Sequence, residues 1–440
     1  MNIQDEEIKK LISKELDRQK FGLEMIPSEN YVSESILETM GTVLTNKYSE
    51  GYSGKRYYGG NEFIDKIENL AIERAKKIFE VEHVNVQPYS GSIANFAVLC
   101  AICKIGDTIM GQSLPDGGHL THGWKASMTG QFWNSIQYHV NSDGKIDLGE
   151  VKELAEENKP KLIWIGSTAY VYKFPFKEFS RIADDVGAFL VADISHISGL
   201  VATGVHESPS LYAHIVTSTT HKTLRGPRGA MIMVTKKGIK KDLELPKKID
   251  KTIFPGLQGG PHDNTTAAIA SALYESLQPE FKVYCEQIVQ NSKALVKSLI
   301  KNGIKCVGNT SENHMILIDL TPFGKGKGVF VQDALDEAGI TVNKNTIPNE
   351  SSSAFYPSGI RLGTSTLTTR GMKENEMEYI AKWISEIIKS VSHYELPNNK
   401  EERKDVIGNF RKEIKNNQVI KNIRNDVFEL CKEFSLYENL

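Results

Sequence analysis

Two hydrophobic periods run along this chain. EFIDKIENLAIERAKKIF (62–79) repeats apolar side chains at helical spacing, as do KEFSRIADDVG (177–187), which ends on a glycine, and ENEMEYIAKWISEIIKSV (374–391). Residues 1–20 read as one amphipathic helix, and a long helical pattern covers 264–305. Short apolar, β-branched runs predict buried strands: KLIWIG (161–166), AFLVADI (188–194), HIVTSTT (214–220), AMIMVT (230–235) and NHMILIDL (313–320). In the middle of the chain strands and short helices alternate, which predicts parallel pairing and a layered α/β architecture. NKYSEGYSGKRYYGGNE (46–62) has no sustained period and several tyrosine–glycine turns, so it predicts loop. The stretch from 398 to 434 is helical with balanced charge, a solvated surface rather than a nucleic-acid arm.

The 440 residues are long for one core. The pattern predicts an N-terminal arm at 1–30, a large α/β domain at 31–275 and a smaller α+β domain at 276–440. Hydrophobic residues at 40% and charged residues at 25% are ordinary for a globular protein. A net charge of −2 provides no global field to draw nucleic acid or an anionic membrane. No apolar run approaches the ~18–20 residues that span a bilayer. The N-terminus is a charged helical pattern rather than a secretory signal, so a cytoplasmic location is expected. Five scattered cysteines argue against a disulfide framework. Cys100 and Cys103 form a C-x-x-C, but inside an apolar helical pattern and without a second pair to complete a zinc site, so no metal is expected. There is no internal repeat and no low-complexity tract.

Three polar signals stand out against this background. Asp193 closes the apolar run FLVADI, and a carboxylate there needs a partner or a buried cation. Lys222 follows the run AHIVTSTT, where burial would disfavour the ammonium form and favour a nucleophilic amine. SGSIAN (90–95) is a small-residue turn opening an apolar helix, and backbone N–H groups at such a helix start form an anion site. In open α/β sheets ligands bind beyond the carboxyl ends of the strands, where all three fall. A lysine, an aspartate and a phosphate cradle together suit pyridoxal 5′-phosphate: the lysine forms a Schiff base, the aspartate keeps the ring nitrogen protonated, and the cradle takes the phosphate.

Further stretches carry a resemblance. IPSEN (26–30), NKYSEGYSGKRYYGG (46–60), the SGS turn, GGHLTHG (117–123), ADISHISGL (192–200), TTHKTLRGPRG (219–229), GLQGGP (256–261) and SGIRLGT (358–364) occur in one order. The chain resembles the serine hydroxymethyltransferases, fold-type I pyridoxal-phosphate enzymes, from about Ile26 to the C-terminus. The resemblance implies a fold-type I transferase: a large domain with a mostly parallel sheet between helices, plus a smaller C-terminal α+β domain. It implies reversible transfer of the serine hydroxymethyl carbon to tetrahydrofolate, giving glycine and 5,10-methylenetetrahydrofolate.

The same resemblance implies roles residue by residue. Lys222 looks like the Schiff-base lysine and Arg228 like an arginine that organises it. His119 resembles the histidine stacked on the cofactor ring, Asp193 the partner of the ring nitrogen, and His196 a group close to cofactor and substrate. Ser90, Gly91, Ser92, Thr168 and His221 complete the cofactor shell. Tyr48 and Gly260 resemble groups that reach the cofactor phosphate of a neighbouring subunit, so a homodimer or homotetramer with shared sites is implied. Ser28, Tyr58 and Arg361 resemble substrate contacts; an arginine fork suits the substrate carboxylate. Glu50 resembles the glutamate that moves protons on the substrate hydroxyl and folate, and its tyrosine surroundings suggest a carboxyl that holds a proton near neutrality. Tyr57, Leu114, Gly118, Leu120 and Asn345 resemble the folate site.

Some positions depart from the family pattern. Ile93 stands where a glutamine usually follows Ser-Gly-Ser, and Thr168 stands where a serine is usual. VYKFPFKEF (171–179) replaces a proline–arginine continuation, and Ser53 and Ser365 stand where prolines are common. None removes a group that makes or breaks bonds; cofactor affinity and substrate range are what they touch. Two other functions share the fold: a folate-independent aldolase of β-hydroxy amino acids, and a silent dimerisation scaffold. The folate-like positions Glu50, Leu120 and Asn345 argue against the first, and an intact Lys222, Asp193, His119 and Arg361 against the second.

Overall fold

Seven short strands organise the unit formed by residues 30–286 in the computed structural model, which describes residues 3–438. In chain order they are β1 (His83–Asn85), β2 (Thr108–Gln112), β3 (Asn134–Tyr138), β4 (Leu162–Ile165), β5 (Phe189–Asp193), β6 (Ile215–Thr219) and β7 (Ala230–Val234). They hydrogen-bond in the order β1-β7-β6-β5-β4-β2-β3. Pairing is parallel from β6 through to β3, and β7 runs antiparallel to both β6 and β1. The mostly parallel sheet is as expected, and β7 is its antiparallel member. Only residues 220–229 join β6 to β7, with no crossover helix, and a direct return of that kind yields antiparallel neighbours. Strands β1 to β3 are short, and the sequence pattern did not disclose them.

The middle of the sheet is covered on both faces. Strands β4, β6 and β7 are buried at every position. Helix Gly91–Ile102 packs Ala94, Ala97, Val98 and Leu99 into a core shared with Ile109, Trp164, Val191, Ile215 and Ile232. Helix Phe176–Asp185 buries Phe176, Phe179 and Ile182 along one stripe, the side its 3.6-residue period predicts. The tyrosine-rich segment is loop, as expected, apart from a two-residue ladder between Gly51–Tyr52 and Lys55–Arg56. The long pattern at 264–305 resolves into two helices, Asp263–Ser276 and Pro279–Lys301. Pro279 lacks the N–H an uninterrupted helix would need, so it opens the second instead.

The other unit comprises residues 1–29 and 287–440. It holds an antiparallel sheet of β8 (Lys305–Cys306), β9 (Met315–Asp319), β10 (Asn343–Asn345) and β11 (Gly359–Gly363) in the order β8-β9-β11-β10. Helices Gly328–Glu337, Glu374–Ser390, Lys400–Glu413 and Gln418–Glu433 pack on it around Ile318, Phe330, Ile380, Ile384 and Phe410. The N-terminal helix runs Glu6–Phe21, capped by Asp5, whose carboxylate accepts from Glu7 and Ile8 N–H. The first two residues of that expected helix lie outside the described residues. Among the described residues no helix is long and apolar enough to cross a membrane.

Candidate active site

The carboxyl edge of the large sheet gathers the site. Asp193 is the last residue of β5, and Lys222 lies three residues beyond the end of β6. Thr168 follows β4, His119 and His122 follow β2, and Gly91 opens the helix after β1. Together with Ser167, Ser195, His196 and Thr219 they line one cavity. Two positions need glycine to bring these segments so close. At Gly117 φ is +93°, and a Cβ would sit 2.5 Å from the carbonyl oxygen of Ala169. At Gly91 a Cβ would sit 2.7 Å from Thr219 Cγ2.

Asp193, with 8% of its side chain exposed, is fully served by donors. His122 Nε2 lies 3.1 Å and Asn95 Nδ2 2.8 Å from Oδ2, and the Ser195 N–H lies 3.0 Å from Oδ1. Burial alone would raise its pKa; the hydrogen bond and charge of His122 overcome that and hold the carboxyl well below the usual range. His122 in turn stacks on Trp164, with centroids 4.8 Å apart and planes 9° apart. His119 is pushed down to about 3 by burial and by His122. His221 is likewise down to about 3 through burial, with Lys222 and Arg228 adding to it. Lys222 is 8% exposed. Its carbonyl accepts from Asn30 Nδ2 at 2.9 Å, and Asn30 also meets Tyr284 Oη at 2.7 Å.

The helix Gly91–Ile102 starts at Ser90, whose Oγ accepts from the Ile93 N–H at 3.4 Å. Ile93 is half-buried and packs against the core of the unit. Ser92 is exposed and Arg228 is exposed. Thr168 Oγ1 lies 2.9 Å from the carbonyl of Gly118 and 3.1 Å from that of Gly117. Leu114 is half-buried, Gly118 buried and Leu120 exposed on the same loop.

A second cluster in the same unit does not line this cavity. Tyr48 Oη is 3.4 Å from Glu50 Oε1, and Tyr48 packs edge-on to Tyr58 at 5.3 Å. The Glu50 carboxylate raises the Tyr58 phenol. A Cβ on Gly260 would sit 3.2 Å from Tyr48 Cε1, and one on Gly259 3.0 Å from Glu50 Oε1. Tyr89 stacks on His262 at 4.2 Å and donates to the Gly260 carbonyl at 2.6 Å. Tyr57, 74% exposed, packs edge-on to Phe254.

In the other unit, Arg361 sits at the centre of β11, an inner strand. It is 9% exposed, bonds through Nε to Asn343 Oδ1 at 3.0 Å, and burial lowers it to about 10. Asn345 ends β10 and donates to the Thr346 carbonyl at 2.7 Å. Ser28 is half-buried, beside Pro27, which abuts Gly363.

The sequence reading missed Asn95, Thr121, Ser195 and Thr219. Asn95 left a signal: an amide in the apolar run IANFAVL is 1% exposed and needs partners. Arg225 left none. It takes φ +60°, pairs with Glu275 at 3.7 Å and lies 4.7 Å over the Tyr284 ring.

A mostly parallel sheet with an aspartate closing one strand, a buried lysine after the next and a helix start beside them defines a fold-type I pyridoxal-phosphate enzyme. Residues 1–384 match the family described as serine hydroxymethyltransferase. "Serine hydroxymethyltransferase" from Acidothermus cellulolyticus is 54% identical over 389 residues, 88% of this chain and 89% of the relative. The protein of the same name from Sorangium cellulosum is 52% identical over 393 residues, 89% and 91% of the two chains. The chain belongs to the serine hydroxymethyltransferase family, and it is a transferase.

Proposed function

We propose that this protein binds pyridoxal 5′-phosphate and transfers the serine hydroxymethyl carbon to tetrahydrofolate, reversibly, giving glycine and 5,10-methylenetetrahydrofolate. The observation that carries this reading is the meeting of Asp193 and Lys222, from adjacent strands, in one cavity. The cofactor fits the groups around it. Buried Thr219 Oγ1 and His221 Nδ1 lack a hydrogen-bond partner among the described residues, and the start of helix Gly91–Ile102 adds N–H donors for a phosphate. When bound, the cofactor supplies an electron sink for the pair released as the Cα–Cβ bond breaks.

The chain supplies the rest. Lys222 offers the amine that would hold the cofactor through its carbonyl carbon. Asp193, kept ionised by His122 and Asn95, holds a proton on the ring nitrogen. Ser90, Gly91 and Ser92 would hold the phosphate; His119 would offer a flat ring for the cofactor to stack on, and Thr168, His196 and His221 would complete its shell. Arg361 binds the substrate carboxylate with its fork, and Ser28 and Tyr58 orient the substrate. Glu50 moves the proton of the serine hydroxyl toward the folate acceptor. Leu114, Gly118, Leu120, Tyr57 and Asn345 hold the folate. Arg228 organises the loop that carries Lys222. Tyr48, Glu50 and Gly260 stand apart from their own chain's cavity, which supports a homodimer or homotetramer sharing these groups between subunits. Five free cysteines suit a reducing cytoplasm.

The test is glycine formation from serine by purified protein. It should need both tetrahydrofolate and pyridoxal phosphate. Activity after complete removal of either would overturn the reading.

A further inference from the structure

A directional chain of hydrogen bonds ends on His119. Asn95, 1% exposed on the helix Gly91–Ile102, lies 2.8 Å by Nδ2 from Asp193 Oδ2 and 2.9 Å from Thr121 Oγ1. The carboxylate of Asp193 already takes donors from His122 and Ser195, and it can only accept. The amide nitrogen of Asn95 therefore faces it, and its second proton goes to Thr121 Oγ1. The amide oxygen takes the Thr217 hydroxyl at 2.8 Å, a contact that this orientation satisfies. Because Thr121 Oγ1 accepts from Asn95, its own proton turns to His119 Nδ1, 2.7 Å away. The backbone N–H of Thr121 points at the same nitrogen from 3.2 Å. A backbone N–H can only donate, so Nδ1 must be the acceptor of both.

We infer that Asn95 and Thr121 are positioning residues that fix His119 as a neutral imidazole carrying its proton on Nε2. The titratable groups around the ring are His122, Asp193 and Lys222. Protonating Nδ1 would cost both Thr121 donors in a buried setting. His119 thus gives the cofactor a flat, uncharged face and an Nε2–H donor, and it takes no proton from the substrate at neutral pH. Its two nitrogens are spoken for, so proton acceptance falls to Glu50 or His196. The consequence for catalysis rests on the proposed cofactor site; the hydrogen-bond chain does not.

Nitrogen NMR of histidine-labelled holoenzyme tests this directly. From about pH 5 to about pH 8, His119 should keep an unprotonated Nδ1 and a protonated Nε2, with no titration. Thr121→Val should let the neutral ring populate the Nδ1–H tautomer as well, seen as shifts averaged between the two nitrogens, and lower turnover about tenfold across the pH profile of kcat/KM. Thr121→Ser should restore both. A protonated Nδ1 in the wild-type protein, or a ring that titrates there, would overturn the inference whether or not Thr121→Val folds. A Thr121→Val protein with wild-type shifts and profile would overturn it too. Because the shifts are read on the histidine itself, they separate this inference from the identity of the reaction.

Discussion

Arg56 Nη2 stands 3.0 Å from Glu68 Oε1, with 4% and 2% of the two side chains exposed. The arginine does more than pair. Its Nη1 donates to the carbonyls of Ser49 at 2.9 Å and Gly51 at 2.8 Å, on either side of Glu50, and its Nε reaches Asp65 Oδ1 at 2.8 Å. Gln87 joins from below, donating to Glu68 Oε2 at 2.8 Å and to the Gly51 carbonyl at 3.0 Å. The turn that presents Glu50 is therefore held from beneath by a buried ion pair. Removing one partner leaves the other charged and unpaired, a loss of ~3–5 kcal/mol. Arg56→Met should melt well below wild type and lose turnover, and Arg56→Met with Glu68→Met should regain much of the stability. Thermal denaturation of the three proteins measures it; an unchanged melting temperature in the single variant would refute the clamp.

Glu50 itself is expected to act on protons rather than on binding. Glu50→Gln keeps size and some hydrogen bonding but cannot hold or release a proton. Folate-dependent serine turnover should fall by about 10²–10⁴-fold. Cleavage of allo-threonine should fall much less, because its aldehyde product leaves with less help. Steady-state kinetics on both substrates check this. Equal losses would make Glu50 a shared structural group, and no loss would pass the role to His196.

Acid should destabilise the protein through buried histidines. Burial is the largest cause in each case, holding His119 and His221 down to about 3 and His214 to about 4. In the unfolded chain the same imidazoles protonate near ~6.5. Between those values the unfolded state binds more protons, so stability rises with pH across the window and is lost as pH falls below about 6. Each group contributes up to ~1.4 kcal/mol per pH unit there. The melting temperature should be level near neutrality and drop steeply toward about pH 4.5. A flat profile to that point contradicts neutral burial.

Shared sites make a different demand. Tyr48, Glu50 and Gly260 do not line the cavity of Lys222 in their own chain. Lys222→Ala and Glu50→Gln chains, each nearly inactive, should therefore recover activity when unfolded and refolded together. Mixed assemblies with no gain over either parent would show that each chain completes its own site.

Much of this was legible in the sequence because the signals were local. Asp193 and Lys222 each broke an apolar strand pattern at its end, and the sheet edge followed from that pattern alone. The antiparallel β7 was not legible, since its apolar run reads the same in either direction. Asn95 showed itself only as an amide in an apolar run, because a helical period reports that a position is inward, not which carboxylate it will meet. Arg56 read as one more charge in a loop; its burial depends on Glu68 and Gln87, 12 and 31 positions away in the chain. The role of Arg361 came from resemblance, and what the fold adds is its inner-strand position and its bond to Asn343.

The most direct test of the central claim is borohydride reduction of the protein loaded with pyridoxal phosphate, followed by peptide mass mapping. Reduction makes the bond between a lysine nitrogen and the cofactor carbonyl carbon permanent. The added mass should fall on the peptide that carries Lys222, and Lys222→Ala should take up none and form no glycine from serine. Label on another lysine, or a Lys222→Ala protein that still carries the cofactor covalently and turns over serine, would contradict the account.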